Sequence, residues 1–390
     1  MKFIFALFIY ISLSFSQELT LTRIQVKGNT HTSEDLIKQF LFAKEHDKYT
    51  LNDLKDRAKR SETILTNTFY FFSNKVVVVP LSKTKAKLLV RIQEGFLYRF
   101  GGSQHGVFVG KDNVFGNGTS LGAALGPSTA LLQYSKVYVA NTPFHLSASA
   151  STGSTSTLVP EKGEFSDSYT QKSAKAQIGW SPRPDMNISV FTEYLNTDFK
   201  HENHTKENLF YGVTAVYSYL DNYIFPQDGY KLSAYSKFYD SNEYYVGKLS
   251  FYTPLFKSSF IGKFRLSAGH TSKTADIAHT FNLAHYDGLT TQKATEASST
   301  NALLFEAKVS HKLMDFAFFG SALHMNTFYQ FGQLSDTFKF EDPTHVTGLG
   351  LTYYLPYPVN VKVETRYGFS EDGNRFTFTI RSDLGSLGLL

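Results

Sequence analysis

From about residue 96 onward, short runs of alternating apolar and polar residues recur, separated by Gly, Pro, Asn, Asp and Ser. In GKFRLSAGH (residues 262–270), Phe264 and Leu266 fall on one face and polar residues on the other, and NRFTFTI (374–380) repeats the pattern. Successive side chains of a strand point to opposite faces, so each run predicts a strand with one apolar and one polar face. Such segments of about ten residues are typical of membrane barrels. The sequence therefore predicts an antiparallel transmembrane β-barrel of about sixteen strands over residues 96–390.

A soluble β-sandwich would show the same alternation, and it remains the alternative fold. A sandwich rarely needs so many residues in one unit. Aromatic residues make up 16% of the chain, with 36 Phe and 24 Tyr. Membrane barrels place such residues in girdles at both interfaces with water. The composition therefore favours the barrel over the sandwich.

The N-terminus has the pattern of an export signal. Lys2 gives a basic start, residues 3–13 form an apolar core, and Ser14-Phe15-Ser16 fits a small-x-small cleavage site. This pattern predicts a signal peptide over residues 1–16 and a mature chain that begins at Gln17. Beyond Gln17 no run of 18 or more apolar residues follows, so no transmembrane helix is predicted.

Cysteine usage and net charge exclude several classes of site. The chain has no cysteine, so it has no disulfides, thiolate metal sites or cysteine nucleophiles. The formal net charge of +5 is modest for 390 residues and indicates no nucleic-acid partner.

Residues 17–95 have the mixed pattern of a small α+β domain. LTLTRIQVKGN alternates as a strand and ends at Gly28-Asn29. Two helices are predicted next, the first capped by Thr32 and the second beginning at Thr50. FYFFSNKVVVVP and AKLLVRIQEG then indicate two strands, which gives the order β-α-α-β-β. The predicted divisions are thus the signal peptide, this domain and the barrel over 96–390.

A turn separates two strands in DNYIFPQDGY, residues 221–230. Pro226 fixes its own φ, and the Asp228-Gly229 pair is typical of tight turns. The segments on either side, FYGVTAVYSYL and YKLSAYSKFYDS, alternate as strands. The stretch therefore predicts a hairpin within the barrel.

Several stretches together resemble one known family. They are LTRIQVKGNTHTSEDLIKQFL, KDNVFGNGTSLGAALG, YSYLDNYIFPQDGYKLSAYSKFY, LLFEAKVSHKL, NTFYQFGQL and GLGLTYYLPYPVNVKVETRYGF. The first is similar to the opening strand and helix of a POTRA domain, and the others are similar to segments of the bacterial surface antigen barrel. The chain thus resembles the outer-membrane assembly-factor superfamily, the BamA/TamA-like proteins. The positions that align with the family's motifs are Gly28, Asn29, Asp112, Asn113, Gly116, Gly118, Asp221, Pro226, Gly229, Leu289, Thr290 and Gly332.

The chain departs from the family pattern at three places. The family's sixth loop carries hydrophobic-Arg-Gly-aromatic, but the aligned stretch LAHYDGLTTQ puts Leu289 and Thr290 there, without the arginine. Gln330 stands where the family's Phe-x-Asp-x-Gly strand has aspartate. The chain ends in SLGLL instead of on an aromatic residue. These departures bear on the insertase activity and leave the fold expectation unchanged.

The resemblance implies a protein of the bacterial outer membrane whose N-terminal domain lies in the periplasm. It implies assistance to the insertion, assembly or translocation of polypeptides, without cofactor or bond chemistry. The implied partners are outer-membrane lipids, unfolded or secreted polypeptide clients, and accessory periplasmic proteins or lipoproteins. The alternative is a secretion pore for one dedicated partner protein. Two soluble domains would favour that alternative, whereas a single one is predicted in this chain.

Two short patterns raise the possibility of chemistry. GTSLG (residues 118–122) matches the nucleophile elbow of hydrolases, which needs a strand before it and a helix after it. HENH (201–204) could suggest a metal site, but it lies in a polar stretch without further clustered ligands. We predict that the first is a turn leading into a strand and the second a polar loop. The sequence therefore predicts no catalytic, cofactor or metal residues, and a barrel-embedded hydrolase is the least favoured alternative.

Overall fold

A computed structural model provides the coordinates, and it divides the chain into two compact units, Met1–Gly95 and Phe96–Leu390. The residues that the structure describes are 18–95, 97–103, 106–127, 129–158, 165–199, 204–240, 242–256, 259–272, 281–282, 289, 298–316, 321–336, 343–356, 361–371 and 373–381. The predicted signal peptide and the segment His201–Asn203 lie outside them.

The first unit is a small α+β domain, as predicted. Its elements are β1 (Glu18–Lys27), α1 (Glu34–Gln39), β2 (Lys48–Thr50), α2 (Leu51–Asn67), β3 (Phe71–Pro80) and β4 (Lys85–Glu94). The sheet order is β2-β1-β4-β3, with β1 and β4 parallel and the other pairs antiparallel. The short strand β2 was not predicted, because three residues are too few to show an alternation. The most deeply buried side chains come from both helices and the sheet: Leu21, Leu36, Ile37, Phe40, Leu54, Leu65, Tyr70 and Leu88.

The two helices begin at side-chain caps, one of which differs from the prediction. Ser33, not Thr32, caps α1, since its hydroxyl accepts a hydrogen bond from the Leu36 N–H at 3.3 Å. The Thr32 hydroxyl instead donates to the carboxylate of Glu94 at 2.9 Å. Thr50 caps α2, as predicted. Neither helix in the described part of the chain is long and apolar enough to cross a lipid bilayer.

The second unit is a closed antiparallel barrel of sixteen strands, which confirms the predicted fold class. The barrel strands are β5 (Tyr98–Ser103), β6 (Gly106–Lys111), β7 (Thr119–Leu125), β8 (Thr129–Lys136), β9 (Phe144–Leu158), β10 (Phe165–Arg183), β11 (Met186–Phe199), β12 (His204–Leu220), β13 (Gly229–Tyr239), β14 (Asn242–Leu255), β15 (Phe260–Thr271), β18 (Asn301–Asp315), β19 (Ala322–Ser335), β20 (Thr344–Leu355), β21 (Val361–Ser370) and β22 (Gly373–Arg381). Two short strands, β16 (Phe281–Asn282) and β17 (Ser298–Ser299), pair with each other between β15 and β18.

The two faces of the barrel wall differ as the alternation predicts. On β15, Phe264 and Leu266 are exposed on the outer face, whereas Arg265 and Ser267 are buried on the inner face. The outer face is thus apolar and the lumen polar, which is the arrangement of a barrel surrounded by lipid. Because neighbouring strands are antiparallel, every second connection lies at the end where β5 begins. We call this the entry end; the β6–β7 and β12–β13 turns lie there, and the β15–β18 connection lies at the opposite end.

Candidate functional site: the barrel seam and the lumen

The barrel closes between β22 and β5, and this seam has the least pairing in the described part of the wall. It consists of Thr379 opposite Ser103 and Ile380 opposite Gly102, whereas β21 pairs along the whole of β22. Gly101 and Gly102 add no side chains that could pack across the seam. A strand edge with few partners presents N–H and C=O groups to which another strand can pair. Among the described residues, the seam is thus the pair of neighbouring barrel strands with the fewest paired residues.

Strand length differs sharply between β5–β8 and the next four strands of the barrel. The strands that follow the seam are short, with six residues in β5, six in β6, seven in β7 and eight in β8. The next four have fifteen, nineteen, fourteen and seventeen residues. A strand that crosses a bilayer needs about nine to eleven residues. The wall beside the seam is thus lower than a membrane-spanning wall.

A network of ion pairs on the inner face of the barrel joins strands between β15 and β21. The fully buried Glu306 of β18 accepts from Lys263 at 2.5 Å, Arg265 at 3.3 Å and Arg366 at 3.1 Å. The side-chain amide of Gln330 also donates to Glu306, at 2.8 Å. These residues come from β15, β18, β19 and β21, so one carboxylate links four strands.

A second carboxylate extends the network. Glu364 of β21 accepts from Lys308 at 2.8 Å, Lys362 at 3.1 Å and Arg366 at 2.9 Å. Arg366 therefore bridges Glu364 and Glu306. Buried charges are tolerated only when they are paired and hydrogen-bonded, so removing one member leaves the others with a large desolvation cost. The network fixes the register and spacing of these strands.

Gln330, which stands where the resembling family has aspartate, belongs to the same network. Its amide N–H reaches Glu306 at 2.8 Å. An aspartate there would set a second negative charge against Glu306, and like charges at such distances repel. Gln330 thus bonds Glu306 without adding a second negative charge beside it.

Leu289 is the described residue of the aligned sixth-loop motif, and it lies inside the barrel. It is buried in a cluster with Leu304, Phe328 and Val346. A Cβ atom at Gly332 would be 2.7 Å from Leu289 Cδ1, so a side chain at this position would force Leu289 to shift. The structure thus brings Leu289 and Gly332 into contact, whereas Thr290 falls outside the described residues.

The aligned residues of the β6–β7 turn shape one tight connection. Asp112 pairs with Arg99 at 2.6 Å, and Asn113 accepts from the Gly118 N–H at 2.8 Å. Asn113, Gly116 and Gly118 all have positive φ, of 47°, 72° and 81°. Glycine and asparagine are the residues that tolerate this region. These four aligned positions therefore serve the turn.

The β12–β13 turn is built around the carboxylate of Asp221. One oxygen of Asp221 accepts the N–H groups of Asn222, Gln227 and Asp228 at 2.8, 3.0 and 3.2 Å. Burial raises the pKa of Asp221, and these three N–H groups oppose that shift. Gly229 follows with a φ of 109°, and a Cβ there would overlap the carbonyl oxygen of Tyr219. Asp221 and Gly229 therefore fix the start and end of the turn.

Pro226 lies inside the same turn, between Phe225 and Gln227. Proline sets its own φ near −65° and has no N–H to satisfy. Asn222 Oδ1 accepts the N–H groups of Ile224 and Phe225 at 2.8 and 2.9 Å just before it. The chain thus reverses direction with its local polar groups bonded.

The remaining aligned pair lies in the first unit. Gly28 has a φ of 93°, and a Cβ there would overlap the carbonyl oxygen of Ile92. The Asn29 side chain donates to the Thr32 carbonyl at 3.2 Å. Both residues shape the connection from β1 to α1.

The patterns that raised the possibility of chemistry do not form a reaction site in the described residues. Ser120 of GTSLG lies within β7 and is followed by β8, so the helix that a nucleophile elbow requires is missing. In HENH only His204 is described, at the start of β12. Among the described residues there is no group of three potential metal ligands.

Sequence reasoning missed the ion network. Its only local sign is that charged residues occupy alternate positions, as in Lys263 with Arg265, Glu306 with Lys308, and Lys362 with Glu364 and Arg366. Alternation places these side chains on one face. Which strands lie side by side, and in which register, could not be read from the sequence.

Comparisons with known proteins give a consistent result at the level of fold. No protein-family model matches the sequence, and no curated protein matches it. Solved structures do match, at low sequence identity.

BamA from Haemophilus ducreyi, in a crystal structure lacking POTRA domains 1–3, has a TM-score of 0.57 at 11% identity, over 93% of this chain and 84% of that one. CdiB from Acinetobacter baumannii has a TM-score of 0.58 at 13% identity, over 93% and 74%. CdiB from Escherichia coli has a TM-score of 0.64 at 9% identity, over 93% and 76%. With the sixteen-stranded antiparallel wall, these matches confirm the resemblance noted in the sequence: the chain has the fold of the outer-membrane barrels of the BamA and CdiB kind.

Proposed function

We propose that this chain is a bacterial outer-membrane barrel that assists the insertion or assembly of other polypeptides, and that it acts at its seam. The observation that supports the proposal is that, among the described residues, two residue pairs join β22 to β5. An incoming strand can add to a strand edge through main-chain hydrogen bonds, which need no particular side chains. The activity would therefore use no cofactor and make or break no covalent bond.

The first unit would act as a periplasmic, POTRA-like domain after removal of residues 1–16. Its strand β3 pairs only with β4 in the described sheet, so its other edge is available. Phe72 and Val77 of β3 are exposed large apolar side chains. An extended client segment could add to this edge in the same way as at the seam.

The alternative is a secretion pore, which would pass its partner through the lumen. Leu289 is buried inside the barrel, and the β12–β13 turn contacts Tyr354 at its mouth. The ion network lies on the inner face of the wall. Passage through the lumen would have to displace such contacts, whereas opening the seam would separate two strand pairs among the described residues. This difference favours the seam.

A disulfide across the seam would test the proposal, and the cysteine-free chain permits it. Gly102→Cys with Ile380→Cys links directly opposed residues of β5 and β22. Thr365→Cys with Phe378→Cys is the matched control, because it links opposed residues of β21 and β22, which are already fully paired. The assay follows folding of an unfolded barrel client into liposomes that contain each variant, by the change in gel mobility on heating.

We expect the oxidised seam variant to lose its acceleration of client folding and to regain it after reduction. The control should accelerate folding in both redox states. Equal acceleration by the oxidised seam variant would show that insertion does not use the seam. A seam-locked protein that still released a secreted partner would favour the secretion pore.

A further inference from the structure

The β12–β13 turn lies at the entry end of the barrel and contacts the inner side of β19 and β20. The Asn222 side chain donates to the Tyr354 hydroxyl at 3.0 Å. The ring of Phe225 stacks on Tyr354, with centroids 5.1 Å apart and planes 19° apart, and lies 4.7 Å from the His324 ring. His324 belongs to β19 and Tyr354 to β20, and four barrel strands separate β12 from β19. Contact over that separation is possible only across the interior.

The apolar tip of the turn is buried in this position. Ile224 and Phe225 are each 6% exposed, although they belong to a surface connection between two strands. Connections normally run over the surface and keep few apolar side chains from water. The burial shows that the turn packs into the mouth of the barrel and does not stand in solvent.

The other side of the turn packs against neighbouring connections at the same end. Tyr223 lines a cavity of about 20 Å³ together with Tyr138, Pro184 and Asp185. Tyr138 follows β8, and Pro184 and Asp185 join β10 to β11. Such a volume holds about one water molecule. The turn thus spans the mouth from the β8–β11 side to the β19–β20 side.

We propose that residues 221–228 are a latch that closes the entry end of the lumen. The latch is held closed by the contacts of Asn222 and Phe225 with Tyr354 and His324. The bonds within the turn, centred on Asp221 and on Asn222 Oδ1, keep it shaped as one body. Release would break the Asn222–Tyr354 hydrogen bond and the aromatic contacts of Phe225, and it would expose Ile224 and Phe225 to water. The inference concerns access to the lumen, so it stands or falls separately from the role of the seam.

A cysteine placed just inside the latch would report whether the mouth is closed. Ser310 of β18 is 4% exposed and lies opposite Asn326, which is two residues from His324 along β19. Ser310→Cys introduces a single thiol at this depth with little change in size. The rate at which a water-soluble maleimide labels it is measured in the full chain in detergent, after heat-modifiable gel migration has shown that the barrel is folded.

We compare this reporter in the otherwise native chain, in Asn222→Ala with Phe225→Ala, and in Gln227→Ala. Gln227 lies in the same turn and is exposed, and among the described residues its backbone N–H is what it contributes to the bonding. The double substitution removes the side chains that hold the turn against β19 and β20, so the turn should open more often. We therefore expect the Ser310→Cys thiol to be labelled about tenfold faster in this variant. Gln227→Ala should label at the native rate. Equal labelling rates in all three folded proteins would contradict the proposal that the turn closes the lumen.

A second measurement covers the case in which the double substitution does not fold. Asn222→Cys with Tyr354→Cys, in an otherwise native turn, is treated with a short bifunctional thiol reagent. We expect an internal crosslink that changes the gel mobility. Asp240→Cys with Tyr354→Cys should crosslink far less, since Asp240 is exposed and follows β13 at the opposite end of the barrel. Equal yields from the two pairs would mean that the turn does not rest against β20, and the proposal would be abandoned.

Discussion

Glu306 is fully buried and has Lys263, Arg265 and Arg366 around its carboxylate. In water such pairs contribute little, because solvent screens them and the side chains lose entropy on pairing. Inside the barrel wall the balance differs, since each charge has already lost most of its hydration. Replacing Glu306 would therefore cost stability mainly because Lys263, Arg265 and Arg366 would remain buried without their carboxylate partner. The lost attraction to any one of these cations is the smaller effect.

The first residue-scale prediction follows from that asymmetry. Glu306→Gln should destabilise the barrel by about 3–5 kcal/mol, the cost typical of breaking one side of a buried ion network. Glu243→Gln is the control, because Glu243 is exposed and its side chain bonds only Tyr245 in the described residues. The measurement is the urea midpoint for loss of the heat-modifiable form. Similar midpoints for the two variants would show that the network is not a source of stability.

At the scale of elements, much of the barrel could be predicted because a strand's alternation is local. The alternate apolar residues of β15 are enough to assign its outer face without knowing its neighbours. Local reasoning failed where the signal was too short or too ambiguous. β2 has three residues, and Thr32 and Ser33 are adjacent candidates for one helix cap, of which Ser33 is used.

The contacts within the lumen could not be predicted, for a different reason. Asn222 and Tyr354 are 132 residues apart, and Glu306 and Arg366 are 60 apart. Their meeting depends on how many strands close the barrel and on how each is staggered against the next. Neither quantity is encoded in any single segment.

The element-scale prediction concerns the hairpin of β12 and β13. Gly229→Val should reduce the yield of folded barrel strongly, since valine resists a φ of 109° and its Cβ would overlap the Tyr219 carbonyl oxygen. Asp228→Ala should have a small effect, because Asp228 is exposed and contributes its backbone N–H and C=O to the turn. Folded yield is read from gel mobility with and without heating. Comparable yields would contradict the role of glycine here.

The whole-molecule prediction concerns placement in a bilayer. Trp180, the chain's one tryptophan, is 44% exposed on the outer face of β10, opposite the exposed Phe144 of β9. Both lie near the entry end, where an aromatic girdle is expected at the lipid–water boundary. In liposomes, Trp180 fluorescence should be quenched more by lipids brominated near the headgroup than by lipids brominated near the chain ends. Trp180→Phe supplies the background, and quenching by neither lipid would mean that the barrel is not inserted.

The unequal strand lengths make the wall lopsided, with six to eight residues per strand in β5–β8 and fourteen to nineteen in β9–β12. At about 3.3 Å per residue and a tilt of about 40°, the short side offers roughly 15–20 Å of height, less than a hydrocarbon layer of about 30 Å. Lipids that touch that side must compress or tilt to avoid exposing their chains, at a cost of fractions of a kcal/mol per Å. Those that touch the long side need not. A barrel of this shape placed in a bilayer would therefore strain the lipids around it unevenly, and we expect it to favour thin, disordered patches of membrane.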